Sequence, residues 1–186
     1  MGFQDHWGND ITGAEETTAA AVSDFTEGLI KFDKKAGRVV GAAKKDPGSA
    51  IANAYAAMLL MWMETANGPD MAAPFLATAE AAIGGANDRE KGAVEVARRW
   101  VARDVPGMVS VAKDILEETP SDLVMVKIRQ SMCFDWGDAT GMLHCQIKRN
   151  QPAPIIAANG DALNLKAVQK PGHVADEMLG TVLSLR

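Results

Sequence analysis

AYAAMLLMWM, Ala54 to Met63, is ten residues without a charge, and three of them are methionine. Four readings compete for it: a membrane segment, a soft-metal box, a groove for a partner, or the inside of a helix pair. A membrane span needs about 20 apolar residues. Extension backward meets Asp46, Lys45 and Lys44, and extension forward meets Glu64, so the run is too short. Met58, Met61 and Met63 offer soft sulfur ligands suited to Cu(I). On a helix, however, Ile51, Tyr55, Met58 and Trp62 share one face, with Met61 close to it and Met63 elsewhere. The sulfurs do not converge, and core packing accounts for them. A Met-rich groove for a variable partner remains open beside that reading.

Working outward, Asp46-Pro47 reads as the N-cap and first position of this helix, and Asn67-Gly68 as its end. Asp70 caps the next helix, which carries Met71, Phe75, Ala79, Ala82 and Ile83 on one side. Pro74 is expected in its first turn, and Gly84-Gly85 supply a left-handed stop. Upstream, Thr12-Gly-Ala-Glu15 has the pattern of a capping box, followed by Val22, Phe25, Leu29 and Phe32. A short second helix covers Lys34 to Lys45. Downstream, Asn87-Asp-Arg-Glu90 forms another capping box ahead of Val94, Ala97, Trp100 and Val101. After Asp104, the positions Val105, Met108, Val109, Ala112, Ile115 and Leu116 are cleanly amphipathic. Thr119-Pro120 ends that helix. Ser121 opens a seventh with Met125, Ile128 and Met132, and Gly137 begins an eighth.

The odd helices start near 12, 46, 87 and 121, and the even ones near 34, 70, 104 and 137. Each series repeats after 33 to 41 residues, near the ~34-residue period of helix-turn-helix repeats. The fold class expected is all-α: a right-handed solenoid of antiparallel helix pairs, tetratricopeptide-like, about three and a half pairs long. Residues 1–145 form the repeat domain, with 14 basic and 21 acidic residues, net −7. Residues 146–186 hold five and three, net +2. There 146–172 reads as an irregular connector and His173 to Arg186 as a possible short helix.

Asp5-His-Trp-Gly-Asn9 and the stretch from Asn87 to Lys127, with Arg89-Glu90, the Asp104 turn, the Ala112, Ile115, Leu116 face and Pro120-Ser-Asp122, carry a family likeness. From about Asp5 to about Leu143 the chain resembles the tetratricopeptide repeat protein 38 family, a helical-repeat family. Met108, Ala112, Ile115 and Pro120 fall at the offsets of the general repeat. Family members are longer, with further repeats, so the resemblance implies a short or truncated form. Beyond Leu143 the likeness stops.

The chain has 186 residues and net charge −5, which fits one globular domain and argues against a nucleic-acid partner. MGFQDHWGND is too polar for a signal peptide. Cys133 and Cys145 read as free thiols of a cytoplasmic protein. With His144 they lack the paired spacing of a zinc site. No glycine-rich phosphate loop or hydrolase elbow occurs, so no cofactor is implied.

The function expected is therefore a scaffold binding a protein or peptide partner, with no membrane role. First helices of pairs line the inner curve of such repeats, and their polar positions are the candidates: Asn53, Arg98, Arg99, Lys127 and Gln130. Arg98, Arg99 and Arg103 make a basic stripe, with Glu95 one turn away for ion pairing. Two other readings stand beside this one. An enzyme fragment takes its hint from Asp5, His6 and Asp10 and from Cys133. A truncated repeat protein would self-associate into a homo-oligomer through its open end.

Overall fold

The computed structural model describes residues 2–138 and Gly141, together with the backbone of 155–156 and 162–163. The chain divides into two compact units, Met1–Gln146 and Ile147–Arg186. In the second, Ile155–Ile156 pairs antiparallel with Ala162–Leu163. The connector and terminal helix expected there otherwise lie outside the described residues.

The first unit opens with a small antiparallel hairpin, β1 (Phe3–Gln4) and β2 (Asp10–Ile11), with Phe3 opposite Ile11. Seven helices follow among the described residues: α1 (Glu16–Lys31), α2 (Arg38–Lys45), α3 (Ala50–Trp62), α4 (Gly68–Ala81), α5 (Asp88–Val101), α6 (Val105–Glu118) and α7 (Leu123–Asp135). A 3-10 turn, Lys34–Gly37, leads into α2, so the second helix expected over Lys34 to Lys45 is split. Its backbone crosses α1 at Gly28, where a Cβ would stand 2.5 Å from the Ala36 nitrogen.

Each even helix packs between two odd ones, and α3 also touches α1 and α5 directly. The last helix, α7, packs on α6 and also on α1. This geometry answers the question raised by Ala54 to Met63. Helix α3 is enclosed by α1, α2, α4 and α5, and ten of its 13 residues are buried. An enclosed helix is apolar on every side. Alanines at 50, 52, 54, 56 and 57 keep the neighbouring axes close. The outer helices are one-sided by contrast. Helix α6 buries Met108, Ala112 and Ile115 and turns Ser110, Lys113, Asp114 and Glu117 to solvent.

Several local expectations are corrected. Thr12 does not cap α1: its amide and hydroxyl both donate to the Glu90 carboxylate, 78 residues on. The α1 cap residue is Glu15, whose amide donates to Asp46 Oδ2 at 3.0 Å. Asp46 thus serves the start of α1, and Ser49 caps α3 instead, accepting from the Ala52 amide. In both cases a partner distant in sequence wins over the local one. Helix α4 starts at Gly68, which leaves Pro74 inside it on the exposed side. Gly84 and Gly85 sit in a 3-10 turn without positive φ. The Asn87–Glu90 capping box forms as read, and Asp104 caps α6 by accepting from the Gly107 amide. The eighth helix lies outside the described residues apart from Gly141, whose amide donates to Asp138 Oδ1. Among the described residues no helix is long and apolar enough to cross a membrane.

Candidate functional site

The odd helices have two unlike ends. Their N-termini meet the hairpin in a buried polar lock. Arg89 Nη1 donates to Asp122 Oδ2 at 3.0 Å and to the Tyr55 hydroxyl at 3.2 Å, and its Nη2 reaches the Asp10 carbonyl at 2.8 Å. Asn9 bonds the Ser121 carbonyl and accepts from its hydroxyl. Glu90, wholly buried, holds Thr12. Burial pushes the Tyr55 hydroxyl pKa up, and Asp122 adds to that shift. Burial also raises Asp122, against the pull of Arg89. Every group here is matched by another protein group, which is what a rigid joint requires.

The residues read as a possible acid–base set belong to this joint or lie beside it. Asp5 is buried and accepts from the Trp7 and Asn9 amides and from Asn9 Nδ2. The Asp10 carboxylate accepts from Gln4. His6 is exposed, with Nδ1 3.7 Å from Glu27. Cys133 is buried in α7; His144 and Cys145 lie outside the described residues.

The C-terminal ends of the same four helices gather into an open recess of about 270 Å3. Phe32 enters from the end of α1, Trp62 and Glu64 from α3, Trp100 from α5, and Ser131, Met132 and Asp135 from α7. The rings of Trp62 and Trp100 meet edge to face at 5.8 Å. A second recess of about 300 Å3 shares Glu64 and Trp100 and adds Met61, Pro69, Arg103 and Val105.

These helix ends share one backbone device. Phe32, Glu64, Arg103 and Gly137, which follow α1, α3, α5 and α7, all have positive φ, at 55°, 51°, 59° and 69°. At α1, α5 and α7 the next amide (Asp33, Asp104 or Asp138) bonds the carbonyl five residues back, the Schellman arrangement. Glycine suits the left-handed position; a phenylalanine there is strained. Phe32 is nonetheless 77% exposed, and Lys127 Nζ stands 4.5 Å from the centroid of its ring, a cation–π contact. Burial lowers the Lys127 pKa. Among the described residues, four of the seven exposed large apolar ones, Phe32, Met63, Phe134 and Trp136, belong to these same helix ends.

The candidates read from sequence are scattered over this frame. Asn53 is 1% exposed, and its amide donates to the Asp46 and Ser49 carbonyls. It offers no surface as the chain is folded. Arg98 is bound twice to Glu95, and Arg99 bridges Glu95 and Asp104. That stripe is an ion-paired face. Those contacts raise the pKa of both arginines and lower Glu95 and Asp104. Gln130 is half-buried on α7. Lys127 alone reaches the recess, through Phe32.

The residues missed are Glu64, Asp135 and Phe32. Trp62 and Trp100 read from the sequence only as core-facing positions. Phe32, Glu64, Arg103 and Gly137 recur after each odd helix, at spacings of 32, 39 and 34 residues, but they share no residue type, so the sequence does not mark them. Comparison of the chain with protein-family models, curated proteins and solved structures finds no match.

Proposed function

We propose that the chain is a helical-repeat binding protein that takes an extended peptide segment of a partner across the C-terminal ends of its odd helices. In this reading the helices form antiparallel, tetratricopeptide-like pairs, as the likeness to the tetratricopeptide repeat protein 38 family implies, and α1 also touches α7. The cytoplasm is the setting that goes with a chain of only two cysteines, too few for a disulfide framework. The observation that carries the reading is the double recess. Its volumes, about 270 and 300 Å3, lie below and at the lower limit of the roughly 300–1,000 Å3 of small-molecule sites. Each suits one side chain, and two side by side suit alternate residues of an extended chain. Phe32 lines the first recess, and Met63, Phe134 and Trp136 are exposed at ends of the same set of helices.

Selection from a displayed library of random decapeptides tests the reading. The full chain is expected to enrich peptides that the double variant Phe32→Gly, Phe134→Ser fails to hold. Both positions are exposed, so this variant keeps its core. Equal retention by wild type and variant rules the face out. Reversing the charge of Arg98 and Arg99 is expected to leave retention unchanged, because those side chains are already paired.

A further inference from the structure

The first recess combines two kinds of group seldom joined without reason. Its walls are aromatic: Phe32, Trp62 and Trp100. Its polar groups include two carboxylates, Glu64 and Asp135. Among the described residues neither carboxylate enters an ion pair.

The backbone adds to this. A helix C-terminus carries about half a negative charge, and four of them gather here. Aromatic faces attract cations, tryptophan most strongly. The cations nearby do not fill the site. Lys127 rests on Phe32, and burial lowers its pKa. Arg103 lines the second recess and not the first.

We propose that the first recess binds an organic cation, which on the peptide-binding reading is a lysine or arginine side chain of the partner segment, while the second takes an apolar side chain. The ammonium or guanidinium lies against the two indoles and between Glu64 and Asp135. Lys127 supports this chemistry from within, since one ring of the mouth already holds an ammonium. It also restricts it, because a second cation on the Phe32 face is repelled. The wall of Met61, Pro69 and Val105 suits an apolar neighbour of the basic residue.

Choline and its neutral isostere 3,3-dimethylbutan-1-ol separate charge from shape. Both are titrated at constant ionic strength into the 15N-labelled full chain, and the four tryptophan indole signals are followed. Choline is expected to move Trp62 and Trp100 saturably and to leave Trp7 in place, with the alcohol about tenfold weaker. Glu64→Gln with Asp135→Asn, both exposed positions, is expected to weaken choline about tenfold. Equal response to the two probes, or no response to choline, overturns the proposal. The peptide selection is read separately. Selected peptides without an enriched basic residue overturn the cation assignment and leave peptide binding standing. A choline response with no peptide selected supports the cation site and removes the peptide reading.

Discussion

Arg89 and Asp122 lie 3.0 Å apart with side chains 7% and 1% exposed, and they join the first turns of α5 and α7. Removing one member of a buried ion pair leaves the other charge unmatched. Arg89→Met is therefore expected to cost about 3–5 kcal/mol, a large share of the roughly 5–15 kcal/mol that holds a domain together. Tyr55→Phe removes only a neutral partner and should cost about 1 kcal/mol. Urea denaturation of the two variants checks the order as well as the sizes.

Gly28 is where the 3-10 turn crosses α1. A Cβ there would meet the Ala36 nitrogen at 2.5 Å and its Cβ at 2.9 Å. Backbone cannot yield as a flexible side-chain tip does. Gly28→Ala is expected to destabilise by about 1–3 kcal/mol, although alanine ordinarily favours a helix interior. A thermal melt showing equal or greater stability would refute this.

Phe32→Gly should act in the opposite direction on stability and on binding. It relieves a left-handed phenylalanine, a gain of about 1 kcal/mol, partly offset by loss of the Lys127 contact, about 0.5 kcal/mol at an exposed site. The variant is expected to be slightly more stable while losing selected peptides. Loss of both would mean that Phe32 serves the fold alone.

Glu27 carries a pH dependence. Hydrogen bonds from Lys31 and then Lys35 lower its pKa from 4.5 to about 2. A carboxylate lowered on folding adds stability above its unfolded pKa and loses it as pH falls through the folded one. The contribution is thus present above about pH 4.5 and fades toward pH 2. Because the site is near solvent, its size is about 1 kcal/mol. The urea midpoints of wild type and Glu27→Gln should differ at pH 6 and converge toward pH 2.

Asn53→Ala tests a candidate read from sequence. The Asn53 side chain donates to two backbone carbonyls at the start of α3, so its loss should cost about 1–3 kcal/mol of stability. Peptide retention by the folded fraction should be unchanged.

Helix positions were legible because burial follows the 3.6-residue period wherever one face meets solvent. Met108, Ala112 and Ile115 lie inward as their spacing predicts. Caps were legible where they are local, as with Asn87 and Glu90. They were not where a distant partner competes, as Glu90 does for Thr12 and Asp46 for the Glu15 amide. The site was legible only in its apolar part. Trp62 and Trp100 announce themselves by bulk and spacing, whereas Glu64 and Asp135 look like ordinary surface acids. Only the gathering of four helix ends makes them a pair, and that is a tertiary fact. Asn53 failed as a surface candidate for the same reason: α3 is enclosed on every side, so its one polar face has no outside.

The most direct test of the central claim is backbone amide mapping of the 15N-labelled chain with a selected peptide bound. The account predicts shifts gathered at Phe32, Glu64, Trp100 and Asp135, at the far ends of the odd helices. Shifts confined to the outer faces of α2, α4 and α6, with those four amides still, would contradict it.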